Sequence, residues 1–395
     1  MSETPLTDFL ATLADPTELE RYRRDPDAVL AEAGLSEDLA ALVRAGHSGA
    51  IRVRAVQELE QAGLSPVVSN LFGGTVQQPN MNSYTSSTYT TNTYTTNTTD
   101  YTTTTSDQTT TTTHNSGLGQ RDVMEVIDEA IRYYSTENFE QAGQLVIVGS
   151  GIKAISDLTM DAEAYIRSAQ VVLYCVADPV IERRIHLMNP FSQSLYGLYG
   201  NDKPRIETYQ EMVNALLAPV RAGLRVCGVF YGHPGVFAWP THQAVAIARR
   251  DGFRAEMHPG ISADASLFAD LGIDPSQPGC HSLEATELLI RNRVPDTSSH
   301  FLLWQAECAG DQGFNFAGYQ RHNFEILVEK LQKFYPASHP VIIYEASALP
   351  QVPPKIVQVT LDTIRKDQLT GISTLYLPPA VRNETDQEMV KRLGL

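Results

Sequence analysis

LRVCGVFYGHPGVF, residues 224–237, decides the fold. Its first half is an apolar run of strand length. Its second half is a turn rich in Gly and Pro, so a buried strand ends near Phe230 and a loop follows. Similar runs recur as QLVIVGSGI (144–152), VVLYCVAD (171–178), FLLWQAECAG (301–310), PVIIYEASA (340–348) and GISTLYLPP (371–379). Stretches with helical spacing, such as ETYQEMVNALLAPVRAG (207–223) and THQAVAIARRDG (241–252), separate them. Apolar strands alternating with helices over about 240 residues predict an α/β fold, with a mostly parallel sheet covered by helices. Such sheets bind ligands at the carboxyl ends of their strands, where FYGHPGVF (230–237) falls. Gly232 and Gly235 allow close backbone approach there, although an ordinary βα loop has the same composition.

Upstream lie two regions of different character. Residues 1–64 read as four or five short helices: Leu6, Phe9, Leu10 and Leu13 keep helical spacing, and Gly34, Gly46 and Gly63 close successive segments. A bundle this small has a thin core, so it is expected to dock on something. Residues 65–118 lose all periodicity and contain YTSSTYTTNTYTTNTTDYTTTT (84–105), which has almost nothing to bury. A connecting helix over 119–143 follows, then the α/β region, divided into lobes at 144–258 and 259–395.

Composition narrows the function. The 46 acidic and 30 basic side chains give a net charge of −16, which argues against a nucleic-acid partner. No window reaches the roughly 18–20 apolar residues of a membrane span, and the first residues lack a signal-peptide pattern. Cys175, Cys227, Cys280 and Cys308 are far apart and form no CxxC pair, so reduced thiols in the cytoplasm are expected. The histidines show no ligand spacing, so no metal site is expected.

Three motifs carry chemistry or its bland counterpart. IVGSGI (147–152) is a tight strand-to-helix turn, but position 154 is Ala where a dinucleotide fingerprint has its third Gly. SLYGLYGNDKPRIETYQ (194–210) gathers Tyr196, Tyr199, Arg205 and Tyr209, a set able to supply acid, base and anion-stabilising groups. On composition alone these aromatics read more readily as a helix surface packed into the core. HPGISADASLFADLGIDPSQPGC (258–280) exposes backbone groups near Ser262 and Ala263.

Taken in order, these stretches resemble the S-adenosylmethionine-dependent tetrapyrrole-methylase fold, a two-lobed α/β architecture. More narrowly, LYGLYGNDKPRIETY, FYGHPGVFAWP, LFADLGIDPSQPGC and FNFAGYQRHNFEILVEKL resemble the borosin peptide backbone α-N-methyltransferases, over residues 144–380. The resemblance implies iterative, autocatalytic methylation of backbone amide nitrogens in a fused core peptide, a step in ribosomal peptide natural-product biosynthesis. It implies a catalytic cluster of Tyr196, Tyr199, Arg205 and Tyr209. It puts Tyr231 and His233 at the junction of substrate and cofactor, and Val236, Phe237, Ser262, Ala263, Gln305 and Thr374 around S-adenosylmethionine. It also implies a homodimer. Fungal members carry the precursor after the enzyme. Here DPTELERYRRDPDAVLAEAGLSEDLAALVRAG (15–46) resembles a borosin leader, so the precursor is expected at the N-terminus with its core within 65–118.

The residue types suit that chemistry. A peptide nitrogen is a poor nucleophile because resonance occupies its lone pair. Arg205 can stabilise charge on the carbonyl oxygen while a phenol takes the proton. The sequence leaves the base open, with Tyr196 preferred and Tyr209 second. Two other functions are weighed: a tetrapyrrole-type small-molecule methyltransferase with an inert Thr-rich linker, and a non-catalytic binding module.

Overall fold

The computed structural model describes residues 4–46, 48–62, 123–135, 143–154, 156–201, 203–314, 319 and 321–395. The expected core segment, 65–118, lies outside them.

Five short helices open the chain: α1 (Pro5–Thr12), α2 (Pro16–Arg24), α3 (Pro26–Glu32), α4 (Glu37–Ala45) and α5 (Ser48–Gln61). Two Asp-Pro pairs start helices. Asp15 accepts from the Thr17 N–H at 2.7 Å and Asp25 from the Ala28 N–H at 3.0 Å, with proline at the first helical position, where no donor is lost. The first turn of α1 is capped from a distance. Buried Glu58 of α5 accepts the Leu6 and Thr7 N–H groups, both at 2.8 Å, and the Thr7 hydroxyl at 2.7 Å.

The next elements are α6 (Val123–Ser135), β1 (Gln144–Gly149), α7 (Met160–Ser168), β2 (Val171–Cys175), α8 (Pro179–Met188), β3 (Ser192–Ser194), α9 (Arg205–Arg221), β4 (Arg225–Phe230), α10 (Trp239–Arg250) and β5 (Arg254–Met257). The five strands form one all-parallel sheet in the order β3-β2-β4-β1-β5. The strand period of two sends alternate residues to opposite faces. Val146, Val148, Val172, Cys227 and Val229 face one core, whereas Leu145, Ile147, Val171, Leu173 and Val226 face the other.

The first of these cores also holds the N-terminal bundle. Leu6, Leu10, Leu30, Val43 and Ile51 join Val180, Ile181 and Ile185 of α8 in one apolar cluster. The expected docking is therefore onto α8, and each such fully buried side chain contributes about 1.5–3 kcal/mol. On the opposite face, Val123, Ile127 and Ala130 of α6 pack with Leu216 and Val220 of α9.

The remaining elements are α11 (Ala263–Leu271), β6 (Cys280–Glu284), α12 (Ala285–Ile290), β7 (His300–Trp304), α13 (Arg321–Leu331), β8 (Pro340–Glu345), β9 (Lys355–Thr360), β10 (Thr374–Leu377) and α14 (Gln387–Leu393). Their strands form a second sheet, β6-β7-β10-β8-β9. Here the expectation of mostly parallel strands is corrected: only β6–β7 is parallel, and the other three pairs run antiparallel. Antiparallel neighbours need no crossover helix, and β8 runs into β9 without one, whereas β10 inserts between β7 and β8 from later in the chain.

One glycine of the IVGSGI turn serves packing. A Cβ on Gly149 would lie 2.2 Å from the Gly232 carbonyl oxygen and 2.9 Å from the Gly260 Cα. The loops after β1, β4 and β5 can close on one another only because no side chain intervenes.

Candidate active site

Where the strand ends of the two sheets meet, a cavity of about 540 Å³ opens. It is lined by all twelve residues that the sequence singles out: Tyr196, Tyr199, Arg205, Tyr209, Tyr231, His233, Val236, Phe237, Ser262, Ala263, Gln305 and Thr374. Tyr196 and Tyr199 lie in and just after a 3-10 turn following β3, and Arg205 and Tyr209 occupy the first turns of α9. Tyr231, His233, Val236 and Phe237 ride the loop after β4, while Ser262 and Ala263 begin α11. Gln305 directly follows β7 and Thr374 begins β10.

The Tyr/Arg cluster spans both sheets. Arg205 Nη2 donates to the Gly313 carbonyl at 3.1 Å, and the Arg205 backbone N–H donates to Gln312 O at 2.8 Å. Short β-bridges, Asn201 with Phe314 and Pro204 with Gly313, tie the same segments together. Phe314 then packs against the phenols, with its ring centroid 4.8 Å from that of Tyr199 and 6.2 Å from that of Tyr196. Tyr209 stacks on Trp239 at 6.3 Å, with planes 22° apart.

Electrostatics separate the phenols. Burial pushes Tyr196 and Tyr199 well above the ordinary tyrosine value; at Tyr196 the neighbouring Cys175, Tyr319, Glu182 and Tyr209 add to it, and at Tyr199 Arg205 opposes it. Burial also raises Tyr209, but there Arg205 is the strongest opposing influence and a hydrogen bond with Tyr199 adds to it. For Arg205 itself burial favours the neutral form, yet Cys308, Tyr209 and Tyr319 reverse this and hold it firmly charged.

Three groups at this end escaped the sequence. Tyr319 hydrogen-bonds with Arg205, and burial raises its phenol to about 12. Cys308 lies against the same guanidinium, and Phe314 supplies the aromatic wall. Tyr319 and Phe314 belong to FNFAGYQRHNFEILVEKL, whose aromatic spacing was the available signal.

The other end suits a flat, polar-edged ligand. Phe237 and Gln305, with φ of 51° and 55°, both adopt the left-handed conformation that non-glycine residues avoid. Phe237, 46% exposed, has its ring 5.2 Å from that of Trp304, whose buried indole N–H has no hydrogen-bond partner among the described residues. Residues 370–374 form the facing wall, held by Glu345, whose Oε1 accepts from Thr370 Oγ1 at 2.9 Å, Ser373 Oγ at 2.5 Å and Lys355 Nζ at 2.9 Å. Among the described residues no group of three His, Cys, Asp or Glu side chains has metal-binding geometry. No helix of those residues is long and apolar enough to cross a membrane.

Residues 144–364 match the family described as tetrapyrrole (corrin/porphyrin) methylases, a range that takes in the whole first sheet and every strand of the second except β10. The chain belongs to that family. Within the tetrapyrrole methylases it is similar to fungal fusion proteins. One, from Coprinopsis marcescibilis, is a methyltransferase/ribosomally synthesized type I borosin cyclic peptide precursor, 45% identical over 264 residues, covering 65% of this chain and 68% of that protein. The gymnopeptides precursor of Gymnopus fusipes is 45% identical over 260 residues, covering 65% of this chain and 62% of that protein. The omphalotin A precursor of Omphalotus olearius is 44% identical over 264 residues, covering 66% and 63% respectively. The chain thus spans about three-fifths of the length of these last two relatives.

Proposed function

We propose that the protein is an S-adenosylmethionine-dependent peptide α-N-methyltransferase acting iteratively on backbone amides of its own segment 65–118. The observation that carries this is the convergence of Arg205 with Tyr199, Tyr209 and Tyr319 at one end of the cavity, a cluster suited to a developing oxyanion and a departing proton. The names of its relatives, fused methyltransferases and cyclic peptide precursors, agree with it.

The cavity fits the cofactor. Its volume lies within the roughly 300–1,000 Å³ of small-molecule sites. Phe237 offers a face for a purine, and Trp304 Nε1 is an unused donor. Ser262, Gln305 and Thr374 would hold the polar groups of the nucleoside and amino acid, with Tyr231 and His233 at the junction with substrate. When bound, S-adenosylmethionine supplies an electrophilic methyl group on a sulfonium sulfur.

The chain's own residues do the rest. Arg205 donates to the peptide carbonyl oxygen and favours the imidate-like charge that frees the nitrogen lone pair. Tyr209 accepts the amide proton; its hydrogen bond with Tyr199 and the nearby guanidinium stabilise the phenolate that this requires. These influences favour Tyr209 over Tyr196, whose phenol has no such support. Tyr196 and Phe314 wall the reacting atoms from water.

Delivery is feasible on magnitudes. A segment of about fifty residues has a root-mean-square span of roughly 40 Å, and tethering gives an effective concentration on the order of millimolar. The protein works as a homodimer in this reading, supported by the exposed apolar side chains Ile206, Trp239 and Ile261 on the segments that carry site residues. The four free cysteines agree with a cytoplasmic setting.

Tandem mass spectrometry of fragments from 65–118, after incubation with S-adenosylmethionine, should locate methyl groups on backbone nitrogens. Unmodified fragments under conditions where the cofactor binds would refute the assignment. Methyl transfer to a small molecule by a chain lacking 1–118 would instead favour a tetrapyrrole-type substrate.

A further inference from the structure

The N-terminal bundle reaches the cavity wall through one buried charge. Arg52 of α5 is 8% exposed, and its Nε lies 3.4 Å from Oδ2 of Asp178, which is 4% exposed. Asp178 caps α8, accepting the Val180 N–H at 2.9 Å. The three residues before it, Cys175, Val176 and Ala177, line the cavity. The carboxylate therefore pins the end of a cavity-lining segment, and its counter-ion comes from another part of the chain.

The same neighbourhood continues toward the phenols. Tyr231, itself a cavity residue, donates its backbone N–H to the Cys175 carbonyl at 3.0 Å. Arg52 and Asp178 both act on its phenol, which burial raises to about 12. One helical turn beyond Asp178, buried Glu182 lies against the Ser194 hydroxyl. Ser194 Oγ in turn accepts the backbone N–H of Tyr196 at 3.3 Å. Two acidic side chains thus sit buried between the bundle and the site, and at the nearer one burial raises the carboxyl against the opposing charge of Arg52.

We infer that the docked N-terminal bundle is a working part of the active site, with Arg52 acting through Asp178 as a positioning residue for the Cys175–Asp178 wall. A bundle that served only as an anchor would need apolar contacts with α8, not a buried cation beside the residues that form the cavity. Burying an ion pair rather than an apolar pair generally costs stability, whereas removing one partner leaves an uncompensated charge. That asymmetry makes the wall sensitive to whether the bundle is seated. The inference deepens the proposed reaction and rests on it for its catalytic readout, but not for its structural one.

The experiment compares the full chain with Arg52→Gln, Arg52→Lys and the double variant Arg52→Gln/Asp178→Asn. Asparagine keeps the helix cap while removing the charge. Methylation of 65–118 is followed by mass at saturating S-adenosylmethionine, and hydrogen exchange is measured over residues 171–182. Arg52→Gln is expected to slow methylation at least tenfold and to raise exchange at 175–178. Arg52→Lys and the neutral double variant should recover most of both. An Arg52→Gln protein with wild-type rate and exchange overturns the inference. So does a loss that neither the lysine nor the double variant restores, because the contact then serves folding alone. If the wild-type chain does not methylate itself, the proposed reaction fails, and exchange at 175–178 still decides whether Arg52 holds the wall.

Discussion

The Arg205 guanidinium donates to the carbonyl oxygen of Gly313, 3.1 Å away and 108 residues along the chain. This bond takes up one side of the guanidinium fork and fixes its plane, and the hydrogen bonds to Tyr319 and Cys308 hold it further. A cation locked on one side and open toward a cavity is arranged in advance for charge that develops on a bound oxygen.

Arg205→Lys should therefore fail nearly as badly as Arg205→Ala. Loss of one preorganised oxyanion donor typically costs about 10²–10³ in rate. Cofactor affinity, measured by calorimetry, should stay within a few-fold of wild type. A lysine variant with more than a tenth of wild-type methylation would remove the guanidinium from its assigned role.

Tyr209→Phe is expected to lower the methylation rate by about 10²–10⁴, the usual range for a general base. Tyr196→Phe should cost less, since its phenol is raised by burial without compensation from Arg205. Single-turnover mass spectrometry of both variants distinguishes them, and the reverse ranking would transfer the base to Tyr196.

The rate should rise with pH. Burial puts the Tyr209 phenol above its ordinary value of about 10, so the phenolate is scarce near neutrality. Raising the pH by one unit below that value multiplies the basic form tenfold, and the logarithm of the rate should climb accordingly through pH 7–9. The slope should vanish in Tyr209→Phe. A flat profile in the wild-type protein would mean that proton removal does not limit turnover.

Glu345→Gln should weaken cofactor binding about tenfold or more while leaving the saturated rate largely intact. Glu345 gathers Thr370, Ser373 and Lys355, and so shapes the 370–374 wall without touching the Tyr/Arg cluster. Losing a charged acceptor costs about 1.5–3 kcal/mol per hydrogen bond. Titration calorimetry with S-adenosylhomocysteine reports it directly.

The sequence disclosed one half of the site better than the other. Tyr196 to Tyr209 fall within one short stretch, and FYGHPGVF follows an unmistakable strand, so the family resemblance could single them out from local motifs. Tyr319 and Cys308 were not recognised because their relevance depends on folding the second sheet against the first, a contact that no periodicity encodes. The antiparallel pairing of that sheet was hidden for a related reason. KIVQVT (355–360) is a partly exposed edge strand whose apolar content is modest, and strand direction depends on connections rather than composition. The Arg52–Asp178 contact joins positions 126 apart and reads as two ordinary surface charges until the bundle is seen in place.

The bundle and α6 grip opposite faces of the parallel sheet, α5 beside α8 on one side and α6 beside α9 on the other. The described helices on either side of residues 63–122 are thus docked on opposite faces of the sheet. If, as proposed, the substrate lies within 65–118, both of its flanks are docked and neither is a free end to feed through the cavity. Its amides would have to be presented as the middle of a bight, so the spacing between each methylated position and the two fastenings, rather than distance from a terminus, would govern which amides arrive.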